Sequence, residues 1–150
     1  MIKMTKDSIL TILLLAALTG CLGGPRPAAV VTFYSLEYAS PTLTDPAPCP
    51  QSLRVERFSA NRAFEGRGMV YRPSAFVLAE YSLARWWVAP ADLITDALVR
   101  DLRNYGCFPA VSTSRDADDA RFVLAGNVEE CLELREKDGA QAVLAIRITC

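Results

Sequence analysis

Between Ile9 and Leu18 the chain carries an apolar run broken only by Thr11, and the run ends in Leu18-Thr19-Gly20-Cys21. Lys3 and Lys6 precede it. A basic start, an apolar stretch of about 7–15 residues and small residues at the cut make a secretory signal, which takes no part in the mature fold. The stretch is too short to span a bilayer, whose hydrocarbon core needs about 20 apolar residues. Residues 1–20 are therefore set aside, which leaves 130 of the 150 for one modest domain with its own core. The competing reading, a buried helix that happens to end in Gly-Cys, does not account for the position or the flanking charge.

Leu18-Thr19-Gly20-Cys21 resembles the lipobox of bacterial lipoproteins, in which the cysteine thiol takes a diacylglyceryl group and becomes the new N-terminus. The resemblance implies lipidation of Cys21. Each acyl methylene buried contributes about 0.8 kcal/mol, and more than one chain holds a protein stably on its membrane. Leu22 follows the cysteine. An Asp there retains enterobacterial lipoproteins at the inner membrane, so the expected location is the outer membrane, facing the periplasm. Gly23-Gly24-Pro25-Arg26-Pro27 reads as a tether, so residues 21–29 are lipidated cysteine and spacer and 30–150 the domain.

Without Lys3, Lys6 and Asp7 the net charge is about −2, with no basic stripe to suggest nucleic acid. The chain has no histidine, which removes the usual general base, the commonest metal ligand and any Ser-His or Cys-His pair. Glu129 and Glu130 are strand neighbours facing opposite ways, so they make no glycosidase pair. A non-catalytic protein without cofactor or metal is expected. Cys49, Cys107, Cys131 and Cys150 can form up to two disulfides in one of three connectivities; reactive thiols are the alternative.

Val30–Tyr38 reads as a β-rich segment, the four prolines from Ser40 to Pro50 as a loop, and Leu53, Val55 and Phe58 as a second strand. Asn61–Gly68 is a loop carrying Phe64, and Met69–Tyr71 a third strand that stops near Pro73. Periodicity leaves Ala75–Leu83 open between strand and short helix. A helix begins at Pro90 with Asp92 in its first turn. Its apolar face is Leu93, Ile94, Ala97, Leu98 and Leu102, and Gly106 is its stop. Cys107–Val111 is a short strand, Ser112–Asp119 an acidic loop, Phe122–Leu134 a long strand, and Ala142–Cys150 the last one. A three-residue turn, Asp138–Ala140, would set Leu134 opposite Leu144 and Leu132 opposite Ile146, keeping the apolar faces together. It would also put Cys131 and Cys150 on opposite faces. The expected fold is α+β, an α/β sandwich of one mostly antiparallel sheet with one clear amphipathic helix. An apolar strand ending at Cys150 suggests a C-terminal piece beyond it, or a short version of a longer domain.

Met69-Val70-Tyr71-Arg72-Pro73, Glu80-Tyr81, Arg85-Trp86 and Ala89-Pro90-Ala91-Asp92 lead into the helix; Gly106 to Val111 and Phe122 to Val128 follow it. Together with Tyr34-Ser35-Leu36, this spaced pattern resembles the ABC-type transport auxiliary lipoproteins. The resemblance implies a docking component of a phospholipid transport system. Its partners would be an MCE-domain protein with an ABC permease and ATPase, and membrane lipid; a homo-oligomer stays open. The other reading of the anchor is a structural outer-membrane or cell-wall lipoprotein without a transport role. Trp86 and Trp87 are candidates for an interface, against the plainer reading that at least one packs in the core. Arg72, with Arg57 and Arg85, is a candidate for headgroups, against the plainer reading of solvent-facing arginines. Gly66 and Gly68 lack the Lys-Ser/Thr of a phosphate loop and read as a turn.

Overall fold

The structure is a computed structural model that describes residues 28–42, 48–113, 120–137 and 139–150. The signal segment and Cys21 lie outside the described residues. The chain divides into two units, Met1–Val30 and Val31–Cys150. Of the first, only 28–30 are described, as exposed chain without helix or strand. All described helices and strands lie in the second.

Among the described residues eight strands form one sheet that curls into a half-barrel: β1 (Thr32–Tyr34), β2 (Leu53–Val55), β3 (Ser59–Ala60), β4 (Gly68–Ser74), β5 (Val77–Trp86), β6 (Val111–Thr113), β7 (Phe122–Glu136) and β8 (Gly139–Thr149). The helix α1 (Pro90–Tyr105) follows β5, and a 3₁₀ turn spans Arg62–Phe64. The α+β expectation holds at that coarse level, but the fold is richer in strand than expected. The sheet is also mixed rather than mostly antiparallel. The hairpins β4–β5 and β7–β8 are antiparallel, whereas β1–β5, β2–β6, β2–β7, β3–β7 and β4–β7 are parallel. The physical reason is the path of the chain. β2, β3 and β4 lie in succession along β7, with Leu53 beside Phe122, Ser59 beside Asn127 and Val70 beside Leu132.

Strand limits differ from the sequence reading in instructive places. β4 runs through Pro73 because the ladder to β5 is irregular between Tyr71 and Ser74, so no regular donor is missing there. The ambiguous stretch after it is strand from Val77 onward, and Cys107–Val111 supplies only the first residue of β6.

The β7–β8 register corrects the expected turn. Glu136 pairs with Gly139, Leu134 with Gln141, Leu132 with Val143 and Cys131 with Leu144. A bulge between Val128 and Glu130 then shifts the ladder, so Val128 meets Ile146 and Gly126 meets Ile148. The parity argument assumed one register for the whole hairpin, and an extra residue in one strand resets which face it shows. Cys131 and Cys150 still do not meet: Cys150 lies six positions beyond Leu144, about 20 Å at ~3.3 Å per residue.

α1 forms where its ends are specified. Pro90 occupies the first turn, Asp92 complements the N-terminal dipole, and Gly106 stops the helix in the left-handed conformation at φ 71°. Arg57 Nη2 donates to Asp92 Oδ2 at 2.6 Å and ties that end to the chain after β2. The helix packs Ala91 and Val99 against Leu53, Val55, Phe58 and Val128, with Ile94, Leu98 and Leu102 partly buried around them. Full burial of a side chain such as Val99, Val55 or Phe58 contributes about 1.5–3 kcal/mol. Thr95, absent from the expected apolar face, is 6% exposed and serves as a polar link: it donates to Ala91 O at 2.7 Å and accepts from Phe58 N–H at 3.0 Å. Among the described residues no helix is long and apolar enough to cross a membrane.

Candidate functional site

The core lies under α1, beside β2, the chain following it and the bulged middle of β7. The sheet continues past the first turn of the helix, and that uncovered stretch forms an apolar groove of about 650 Å³. Pro90, Leu93 and Ile94 of α1 make one wall, and Tyr34 and Leu36 of the N-terminal strand region contribute to the lining. Met69, Tyr81, Ala84 and Trp86 come from the β4–β5 hairpin, and Cys131–Glu133 and Ala140–Leu144 from the β7–β8 hairpin. Leu144 is 55% exposed although apolar. The volume lies in the range of about 300–1,000 Å³ typical of ligand pockets, whose walls are mostly apolar with a few placed polar groups.

Two of the lining polar groups, Tyr81 and Glu133, belong to one network with Arg135, which stands outside the lining. Tyr81 donates its hydroxyl to Glu133 Oε1 at 2.8 Å, and Arg135 donates to the Tyr81 oxygen at 2.6 Å and to Glu133 Oε1 at 3.0 Å. The Arg135 guanidinium lies 4.4 Å from the ring centre of Tyr71, which in turn packs against Tyr81 with ring centres 4.5 Å apart. Tyr71 and Glu133 are register partners on β4 and β7, so alternation puts both on one face. The hydrogen bond from Tyr81, followed by that from Arg135, holds the Glu133 carboxyl below the usual carboxylate range. Burial pushes the Cys131 thiol up, so it stays protonated in its wall of the groove.

The structure separates the candidate residues of the sequence. Trp86 is half-buried and lines the groove. Trp87 is 63% exposed and meets Phe33 edge-on, with ring centres 5.7 Å apart. Arg72 does not line the groove: it donates to Glu130 Oε1 at 2.7 Å and pairs in register with Leu134, on the face opposite Tyr71 and Glu133. Of the four later cysteines, all free thiols, Cys49 and Cys107 are brought together by a backbone bond, Cys49 N–H to Cys107 O at 2.8 Å. Cys131 is in the groove and Cys150 is exposed. Among the described residues no His/Cys/Asp/Glu group is placed to hold a metal. Sequence reasoning missed Tyr81, Glu133, Arg135 and the groove itself. The available signal was Glu133 and Arg135 two apart on one strand face, facing a tyrosine-bearing hairpin.

The fold has relatives among solved structures. Protein XCC0632 from Xanthomonas campestris, described as DUF330, superposes with a TM-score of 0.66 at 19% identity, covering 79% of this chain and 75% of that one. A structure described as an uncharacterized protein superposes with a TM-score of 0.54 at 14% identity, covering 80% of each chain. At these identities the likeness concerns the fold alone. No family model matches the chain, and no curated protein matches it. The assignment to the ABC-type transport auxiliary lipoproteins is corrected accordingly: it rested on spaced short motifs, and the similar structure that carries a family description is a DUF330 protein.

Proposed function

We propose that this chain is a lipid-anchored, non-catalytic lipoprotein of the outer membrane whose periplasmic domain holds one acyl chain of a phospholipid in the groove. It would serve as a binding component of lipid transport. The groove carries this reading: about 650 Å³ walled by Leu93, Ile94, Trp86, Met69 and Leu144, with the lining groups Tyr81 and Glu133 tied to each other and to Arg135. Such walls suit a hydrocarbon chain, each methylene of which gains about 0.8 kcal/mol on leaving water. The headgroup would remain outside. Cys21 in its lipobox supports the anchor.

The test is lipid extraction from the native lipidated protein, with displacement of a fluorescent fatty acid as the affinity readout. A co-purifying phospholipid and a saturable signal are expected, and Leu93→Asp and Leu144→Asp should each weaken binding at least tenfold without loss of the folded state. A wild-type protein that carries no lipid and takes up no probe overturns the binding role. Cross-linked pull-down from native membranes tests the transport role. Recovery of an MCE-domain protein with its ABC permease and ATPase supports it, whereas recovery of cell-wall components alone favours a structural lipoprotein.

A further inference from the structure

We propose that the apex of the β4–β5 hairpin is a membrane contact, with Phe76 entering the interfacial layer of the lipid surface to which the chain is anchored. This rests on the preceding reading for the anchor at Cys21, and not on the groove.

Between Arg72 and Glu80 the chain runs Pro73-Ser74-Ala75-Phe76-Val77-Leu78-Ala79 without a charge. Ala75 and Phe76 form the turn that joins β4 to β5. Phe76 is 101% exposed, and Val77 and Leu78 are each 47% exposed. A whole aromatic ring in water at a hairpin apex, backed by two half-exposed aliphatic side chains, is a contiguous apolar tip available for contact. The uncharged run lets the apex leave water without burying an ion, whose desolvation would oppose insertion.

The reach of the anchor decides what covers it. β1 runs parallel to β5 with Thr32 beside Ala84, so it enters the sheet from the side on which β5 begins. Phe76 lies eight residues before Ala84, about 26 Å at ~3.3 Å per residue. The eleven residues from Cys21 to Thr32 span up to about 36–40 Å when extended. The acyl chains on Cys21 can therefore lie level with Phe76, and a lipid surface is the surface that a covalent tether holds within reach of this apex. Phenylalanine, with tryptophan and leucine, is a side chain that interfacial anchors bury at the boundary of headgroups and acyl chains. β4 and β7 are parallel, with Arg72 beside Leu134, so the turn after β7 lies at the same end of the sheet. The groove residues from Ala140 onward begin one residue past the Glu136–Gly139 pair that closes that turn. An acyl chain leaving the bilayer would thus meet the groove close to the membrane.

The full-length lipidated protein, wild type and Phe76→Trp, is reconstituted into phosphatidylethanolamine–phosphatidylglycerol vesicles, with and without brominated acyl chains. Subtracting the wild-type signal of Trp86 and Trp87 isolates the new tryptophan. The expected result is a blue-shifted difference emission that brominated lipid quenches. A difference spectrum typical of water, without quenching, overturns the proposal. So does a blue-shifted spectrum that brominated lipid leaves unquenched, which would mean that protein, such as a second copy, covers the apex. Flotation of the same vesicles scores the anchor independently: protein that floats with an unquenched apex rejects this contact alone, while protein that does not float rejects the anchor and the contact together.

Discussion

The backbone N–H of Phe58 donates to the Thr95 hydroxyl at 3.0 Å, so the one α-helix of the described chain is fastened to the sheet side of the core by a single buried polar bond. Thr95 is 6% exposed and Phe58 3%, which leaves water no access to replace it. Thr95→Val keeps the shape and removes the acceptor, leaving the Phe58 N–H buried and unpaired. The expected loss of stability is about 1–3 kcal/mol, read by denaturant unfolding. Thr95→Ser keeps the hydroxyl and should lose less. A full-sized loss in Thr95→Ser with little loss in Thr95→Val would show that the methyl group, and not the bond, matters.

The same phenylalanine limits what β7 can carry. A methyl group added at Gly126 would stand 2.4 Å from Phe58 Cε2, closer than any van der Waals contact allows. Phe58 is buried in one cluster with Leu53, Val55 and Val128, so its ring cannot swing out to solvent. Gly126→Ala should therefore cost about 1–3 kcal/mol by overpacking. Phe58→Leu in the same chain should recover part of that cost, because two residues in contact do not act additively. Thermal unfolding of the two single variants and the double variant measures the coupling, and strictly additive losses would contradict the contact.

These two contacts show what local sequence could and could not give. The limits of α1 were legible because Pro90, Asp92 and Gly106 specify its ends by local chemistry. Its buried face was read only in part, because Thr95 looks polar until its partner on a distant segment is known. The long strand β7 was legible from alternation, but its bulge was not, and with it went the register of the hairpin. The parallel neighbours of β7 are strands of two to seven residues, paired with it at separations of about 60–70 residues in sequence. No short-range pattern encodes such pairing. The groove was hidden for a related reason: Leu93, Met69 and Leu144 each read as core, and only the place where α1 begins leaves them without a cover.

The segment after β1 is held on α1 by Asp101, which accepts from the Tyr38 hydroxyl, from Ser40 Oγ at 2.7 Å and from Arg100 Nε at 3.0 Å. Asn104 donates to Ser40 Oγ at 3.0 Å, and the Arg100 guanidinium lies 4.5 Å from the Tyr38 ring centre. The hydrogen bond from Tyr38 leads in holding the Asp101 carboxyl below its ordinary range, and the same bond leads in raising the Tyr38 hydroxyl above its own. A lowered carboxyl contributes stability that is present above its unfolded pKa and lost as pH falls through the folded value. A raised phenol contributes stability that is present below its unfolded pKa and lost as pH rises through the folded value. Attachment of residues 36–42 should therefore hold between the ordinary carboxylate and phenol ranges and weaken beyond each. Amide exchange of that segment against pH, compared with Asp101→Asn, reads this directly. A wild-type acid limb identical to that of Asp101→Asn would exclude Asp101 as its cause.

The four later cysteines should sort by geometry. The backbone bond from Cys49 to Cys107 is 2.8 Å. That bond sets the two residues side by side, as the roughly 4.4–6.8 Å Cα separation that a disulfide bridges requires. Under oxidising conditions Cys49–Cys107 is the pair expected, and closing a loop of that length should add roughly 4 kcal/mol on a chain-entropy basis. Cys131 should remain a thiol and react slowly with alkylating reagents, because burial holds its pKa above the usual thiol value. Exposed Cys150 should react first. Peptide mapping without reduction checks the pairing, and a mapped bond from Cys131 to Cys150 would contradict the register of β7 and β8. Because Cys131 lines the groove, its slow alkylation is also a readout of occupancy. A bound acyl chain should slow it further and leave Cys150 unchanged, whereas equal protection of both would indicate a change in the whole domain and not a ligand in the groove.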